Sequence, residues 1–122
     1  MQQIVVRFGP IQNDAPFLEG KLIKKNKFYS KQERCFRFFI DGQIKYYAPS
    51  TLEEKGTISL DKDSKLIKKG SDAYEIVLPS KQKIYHLISN IKKNSPPWSR
   101  NSSCDIKDWV EAIELIIQLK SL

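Results

Sequence analysis

Arg34-Cys35-Phe36-Arg37-Phe38-Phe39-Ile40-Asp41-Gly42-Gln43-Ile44-Lys45-Tyr46-Tyr47 is the stretch whose reading decides the fold. Phe36, Phe38 and Ile40 recur at period two, which places them on one face of an extended strand. Asp41-Gly42 follows, a strong short-range signal for a tight hairpin turn. Gln43 to Tyr47 then returns as the partner strand. The unit predicted is an antiparallel hairpin with an apolar inner face.

The same alternation continues in both directions. Upstream, Leu22 and Lys24 face opposite to Lys21, Ile23 and Lys25, which reads as a half-buried strand. Asn26 to Gln32 is polar and lysine-rich, and is predicted to be a loop. Downstream, Pro49 to Lys55 is a loop and Gly56 to Leu60 alternates again. Ser64 to Lys68 reads as a short strand with Leu66 buried. Tyr74, Ile76 and Leu78 share a face of the next strand, and Pro79-Ser80 turns the chain. Lys83 to Ser89 is the seventh strand, with Tyr85 and Leu87 on one face and Ile84, His86 and Ile88 on the other. Residues 90–101 form a polar insert in which Pro96-Pro97 excludes regular structure. The period then changes to helical: Ile106, Trp109, Ala112, Ile113 and Ile116 form one stripe. Ser102 with Asp105 three residues on reads as the cap of that helix. Residues 1–17 are a lead-in broken by Gly9-Pro10 and Pro16, with Ile4, Val5, Val6 and Phe8 available to pack on the domain.

A chain of 122 residues with 40% hydrophobic content and net charge +7 is expected to form one domain with a real core. No apolar run approaches the roughly 18 residues of a membrane-spanning helix. Met1-Gln2-Gln3 starts no signal peptide and offers no glycine for myristoylation. Cys35 and Cys104 fit reduced thiols, and a cytoplasmic location is expected. The charge is unevenly distributed. Between Lys21 and Arg37 stand seven basic residues and one acid, whereas Asp105 to Leu122 holds four acids and two lysines. Such a polarised domain is suited to bind a polyanion in one orientation.

The ordered set of elements resembles the pleckstrin homology domain family, from about Glu19 to Leu119. Gly20-Lys21-Leu22-Ile23-Lys24 is similar to the family's first strand. Arg34-Cys35-Phe36-Arg37-Phe38 is similar to the second, Asp41 to Tyr47 to the third, and Lys55-Gly56-Thr57-Ile58-Ser59-Leu60 to the fourth. Trp109 matches the tryptophan of the family's C-terminal helix. The resemblance implies a mainly β fold: a seven-stranded, partly open barrel of two antiparallel sheets, capped at one end by the helix. The domain then spans 18–120, and Trp109 is a core residue that plugs the capped mouth.

The resemblance also implies an anion site at the open mouth. Lys24 and Arg34 stand where members that bind phosphoinositides carry pocket cations, and Tyr46 and Lys55 match positions that often join them. A lysine supplies a mobile point charge, and an arginine fork can hold a phosphate through two oxygens. Lys25, Lys27 and Lys31 are expected to meet anionic headgroups, each contributing about 1 kcal/mol near such a surface. Phe28-Tyr29 suits insertion at the interfacial zone. Strong phosphoinositide binders usually carry one more basic residue where this chain has Gln32. A smaller headgroup such as phosphatidic acid therefore remains a second expectation. Single-domain acylated members in apicomplexan parasites read that lipid, and the Asn-, Lys- and Ile-rich composition is compatible with them.

The function expected is thus non-enzymatic: peripheral binding to the anionic phospholipids of a membrane surface by a monomer. The alternative is a protein-interaction or scaffold role, for which Pro96-Pro97-Trp98 offers a rigid aromatic. No catalytic residue, metal or cofactor is expected, since His86 is the only histidine and the cysteines lie far apart in sequence. Asp61 and Asp63 read as a solvated turn among lysines. Nucleic acid is disfavoured because the cations gather at one loop rather than along a groove with stacking aromatics.

Overall fold

A computed structural model describes residues 2–12, 14–26, 28, 30–90 and 102–122. Helix α1 (Gln2–Phe8) precedes strands β1 (Leu18–Lys25), β2 (Lys31–Phe38), β3 (Gln43–Tyr47), β4 (Glu54–Ser59), β5 (Lys65–Lys68) and β6 (Ala73–Leu78). A short 3₁₀ turn (Pro79–Lys81) leads into β7 (Lys83–Ile88), and helix α2 (Ile106–Lys120) ends the chain. The strands are antiparallel, in the order β4-β3-β2-β1-β7-β6-β5. The expected two sheets are joined into one hydrogen-bonded ladder. β1 is the reason: it pairs with β2 along its whole length and with β7 over Ile23–Lys25.

Alternation builds the interior. Leu22, Phe36, Phe38, Ile44, Ile58, Ile76, Leu78 and Leu87 are buried on the inner face. Helix α2 covers them with Ile106, Trp109, Ala112, Ile113 and Ile116. Trp109 stacks on Phe38 at 6.0 Å between ring centroids and meets Phe36 edge-on at 6.1 Å. Such pairs add about 0.5–1.5 kcal/mol each beyond burial. The indole N–H donates to the Ser103 carbonyl at 3.0 Å, so the ring is buried without an unmet donor.

The hairpin turn is longer than a two-residue Asp-Gly loop. Gly42 N–H donates to Phe39 O and Phe39 N–H to Gln43 O, so Ile40 and Asp41 are central and Gly42 follows at φ 96°. A left-handed glycine after the turn forms the bulge that keeps the strands twisted together. Ile40 leaves the strand as a result and is only partly buried.

Four features depart from the sequence reading. β2 begins at Lys31 rather than Arg34, because full pairing with β1, from Leu18–Phe38 to Lys25–Lys31, carries polar residues into the ladder. The connecting loop is therefore only Asn26–Ser30, closed by the Asn26 side chain, which accepts from Phe28 N–H (2.9 Å) and Ser30 N–H (3.0 Å). The cap of α2 is Asp105, not Ser102: the Asp105 carboxylate accepts from Lys107 N–H at 3.0 Å, and Ser89 Oγ accepts from Ile106 N–H at 2.7 Å. Ser102 is instead buried in a bridge to Glu19. The lead-in contains a helix, whose Ile4 and Phe8 join the core while Val5 and Val6 stay exposed. Finally, Leu66 is only partly buried, as β5 is an outer strand. The insert lies outside the described residues except for Asn90, whose side-chain amide donates to Glu33 at 2.9 Å.

Candidate functional site

The β1–β2 hairpin has two ends. At one, Leu18 and Phe38 lie in the core under α2; at the other, Lys25 and Lys31 flank the loop. The inner-face parity that buries Leu22 places Lys24 on the same side, one step nearer the loop. On β2, Arg34 shares the parity of buried Phe36. Register sets Gln32 opposite Lys24 and Leu22 opposite Arg34, so the two cations sit diagonally on the inner face of the open mouth.

The Lys24 ammonium lies between two phenol rings, 5.3 Å from the centroid of Tyr46 and 5.9 Å from that of Tyr85. Burial lowers its pKa below the usual lysine value, and the charge of Arg34 lowers it further. Tyr46 is shifted upward, chiefly by burial and then by Tyr85, against the opposing pull of Arg34. A phenol shifted upward keeps its proton at neutral pH and can donate to an anion. Room for that phenol comes from Gly56, its register partner on β4, where a methyl group would collide with the ring and hydroxyl. Among the described residues no carboxylate lies within ion-pair reach of Lys24 or Arg34. An anion placed beside two such cations would relieve both their repulsion and their desolvation.

A cleft of about 410 Å³ opens beside this group. Lys24, Lys25, Asn26, Tyr46, Lys83, Ile84, Tyr85 and His86 line it, and among the described residues no acid does. Glu75, behind His86 on β6, is engaged by His86 at 3.1 Å and Lys69 at 3.4 Å.

The structure thus brings Lys24, Arg34 and Tyr46 together and sets Lys25 beside them. Arg34 does not line the cleft itself; its guanidinium donates to Glu33 O at 3.0 Å. Lys55 stands apart, exposed at a bulge in β4 and paired with Glu53 at 3.3 Å. Lys31 is exposed on β2, and Phe28 is 75% exposed at the loop. Lys27 and Tyr29 lie outside the described residues. Lys83, which the sequence reading did not place at the mouth, also lines the cleft. The signal was present: Lys83 shares the parity of Tyr85 and Leu87, as Lys24 shares that of Leu22. Asp61 and Asp63 form the turn expected. Asp61 accepts from Ser80 Oγ (2.7 Å), Ser64 Oγ (3.3 Å) and Asp63 N–H (2.9 Å), and the described residues hold no metal-ligand cluster.

This architecture, with strands around an apolar interior, a helix at one end and cations at the other, is the fold of pleckstrin homology domains. The C-terminal PH domain of pleckstrin, solved in complex with D-myo-Ins(1,2,3,4,5)P5, matches with a TM-score of 0.61 at 22% identity. That match covers 80% of this chain and 94% of the pleckstrin domain. The structure of human RhoA in complex with the DH/PH fragment of PDZRHOGEF matches with a TM-score of 0.62 at 14% identity, over 85% of this chain and 29% of that one. A human RhoA complex with an inhibitor and the DH/PH domain of human ARHGEF11 matches at 0.59 and 15% identity, over 82% of this chain and 28% of that one. At the level of sequence no protein family matches the chain. No characterised protein does so either.

Proposed function

We propose that this chain is a non-enzymatic binding module that docks on phosphate-bearing headgroups of an anionic membrane surface, on the cytoplasmic side. Phosphoinositides and phosphatidic acid are the candidate lipids. The observation that carries the reading is the Lys24 ammonium, held between Tyr46 and Tyr85 beside Arg34 with no carboxylate among the described residues in reach. Lys24 and Arg34 bind the phosphate, Tyr46 donates to it, and Lys25 with the loop cations meets neighbouring headgroups. The inositol phosphate in the similar pleckstrin structure supports the same class of ligand.

Co-sedimentation with vesicles tests this. Vesicles of phosphatidylcholine alone should leave the protein in solution, and vesicles containing phosphatidylinositol bisphosphate or phosphatidic acid should retain it. Arg34→Ala should weaken retention more than Ala at Lys25, Lys27 or Lys31, because the fork grips a phosphate that the rim lysines only attract. Equal, negligible retention on all vesicles would refute the proposal and leave a protein-interaction role, as the RhoA complexes of similar fold suggest.

A further inference from the structure

We infer that the Glu75–His86 pair on the wall of the cleft makes membrane binding proton-linked: the domain holds an anionic surface more tightly as the pH falls through the histidine range. The inference rests on the proposed anion site and names its regulation.

His86 is the only histidine of the chain. It alternates with Tyr85 and Leu87 on β7, and since Leu87 faces the core, His86 belongs to the outer face of the ladder. Its neighbours there follow from register. Glu75 of β6 stands on one side and Lys25 of β1 on the other, with Lys31 of β2 one strand beyond. β1 ends at Lys25, and the wall of β7 continues into the cleft, which His86 lines with Lys24, Lys25 and Lys83. The imidazole is therefore flanked by one carboxylate and several cations.

The carboxylate is the unusual member. Its side chain is only 12% exposed although it sits on an outer face. Both its oxygens are engaged: Nδ1 of His86 lies 3.1 Å from one, and the Lys69 ammonium 3.4 Å from the other. A neutral imidazole that donates from Nδ1 keeps a lone pair on Nε2, and a proton taken up there makes the ring a cation. Glu75 favours that proton. Lys25 and Lys24 of β1, Lys31 of β2 and Lys83 of β7 oppose it, and Lys69 in the β5–β6 turn competes for the same carboxylate. An anion in the cleft changes this balance. It neutralises the lysines and leaves Glu75 to dominate, so the ring gains a proton as the headgroup binds. Linkage is reciprocal: the factor by which the anion raises proton affinity is the factor by which the proton raises anion affinity. The bound state then holds more protons, so affinity rises as the pH falls and levels off at either end of the histidine range.

The test compares the full chain with His86→Gln, which keeps a donor for Glu75 and cannot take a charge. Affinity for vesicles of phosphatidylcholine with phosphatidylinositol bisphosphate is measured from about pH 8 to about pH 5, where histidine changes charge. The lipid's own titration acts on both proteins alike, so the ratio of their affinities isolates residue 86. Parent and variant should bind alike at the alkaline end, and the parent about fivefold more tightly at the acid end, as one added cation near an anionic surface gives. His86→Lys, charged throughout, should exceed the parent about fivefold at the alkaline end. The single imidazole signal in NMR reports protonation directly. Its titration midpoint should rise by about 0.7 of a pH unit when short-chain phosphatidylinositol bisphosphate binds, which is the same factor of five. Equal affinities of parent and His86→Gln at every pH, or a midpoint that the bound lipid leaves in place, overturn the inference and leave the anion site standing. A pH dependence that persists unchanged in His86→Gln overturns it too and belongs to Lys24, whose pKa burial and then Arg34 lower. No retention of the parent at any pH overturns both readings.

Discussion

Gly56 shapes the site through the atoms it lacks. Its register partner Tyr46 lays its hydroxyl where a Cβ at residue 56 would stand. The rigid ring cannot fold away as a lysine tip could, so Gly56→Ala must push Tyr46 toward Lys24 or spread β3 from β4. Overpacking of this kind costs about 1–3 kcal/mol. Gly56→Ala should lower stability by that amount in denaturant titration and weaken anion binding as well. Ala at Glu53, on the same edge but away from the ring, should do neither. Asp61 is a residue whose contribution depends on pH. The Ser80 hydroxyl first, and the Asp63 N–H next, hold its pKa below the usual carboxylate range. A group depressed on folding stabilises above its unfolded pKa, and that contribution fades as the pH falls through the folded value. Asp61→Asn should therefore melt earlier than the parent at neutral pH, and the two melting temperatures should converge in strong acid. A constant gap at all pH values would show that the carboxylate charge plays no part in the turn.

At the level of elements, what was legible in the sequence is what alternation alone decides. Phe36 and Phe38 gave β2 its inner face, and Trp109, Ile113 and Ile116 gave α2 its stripe. The readings failed where pairing overrode local pattern. Lys31 to Glu33 looks like loop because it is polar, yet β1 supplies a ladder that draws it into a strand. Parity and the family resemblance placed Lys24 and Arg34 on one face, and the structure sets them together, whereas Lys83 was read only as the start of the seventh strand. Helix α1 was hidden for another reason. Seven residues are too few to form a helix by propensity alone, and its stability comes from docking. Ile4 and Phe8 provide that docking. Phe8 meets Phe17 edge-on at 5.4 Å, and Phe17 tilts onto Phe38 at 4.7 Å. Arg7 adds ion pairs to Asp108 at 2.7 Å and Glu111 at 3.0 Å on α2. These pairs are more than a third exposed, and exposed pairs are worth about 0–1 kcal/mol. Removing a buried phenylalanine costs about 3–5 kcal/mol. Phe8→Ala should thus reduce unfolding free energy by about 3 kcal/mol, and Arg7→Ala by less than 1. The reverse order would mean that α1 is held by charge and only rests on the core.

On the scale of the whole molecule, the long β1–β2 hairpin separates the two ends of the domain. Its Leu18–Phe38 end is closed by α2 and α1, which commit the apolar aromatics to the core. The other end carries Lys24, Lys25, Arg34 and Lys83 and leaves two large apolar side chains in water: Phe28 at 75% exposure and Ile84 at 55%. Both belong to the rim. Lys25 pairs with His86 between antiparallel strands, so Ile84 lies farther along β7 toward the Asn26–Ser30 loop that carries Phe28. Fully burying such a side chain is worth about 1.5–3 kcal/mol, and partial insertion a fraction of that. On the proposed membrane reading, two separable forces would hold the domain at the surface. The cations attract at a distance and weaken as salt shortens the Debye length. The apolar pair acts only on contact and is indifferent to salt. The double variant Phe28→Ala/Ile84→Ala should lose on the order of tenfold in vesicle affinity. Raising the ionic strength should weaken the parent and the double variant by the same factor, and the ratio between them should hold. Inositol trisphosphate, which offers no acyl region, should bind the two proteins alike. If the ratio instead collapses in high salt, Phe28 and Ile84 act by positioning the neighbouring lysines, and the domain rests on the headgroups without entering the bilayer.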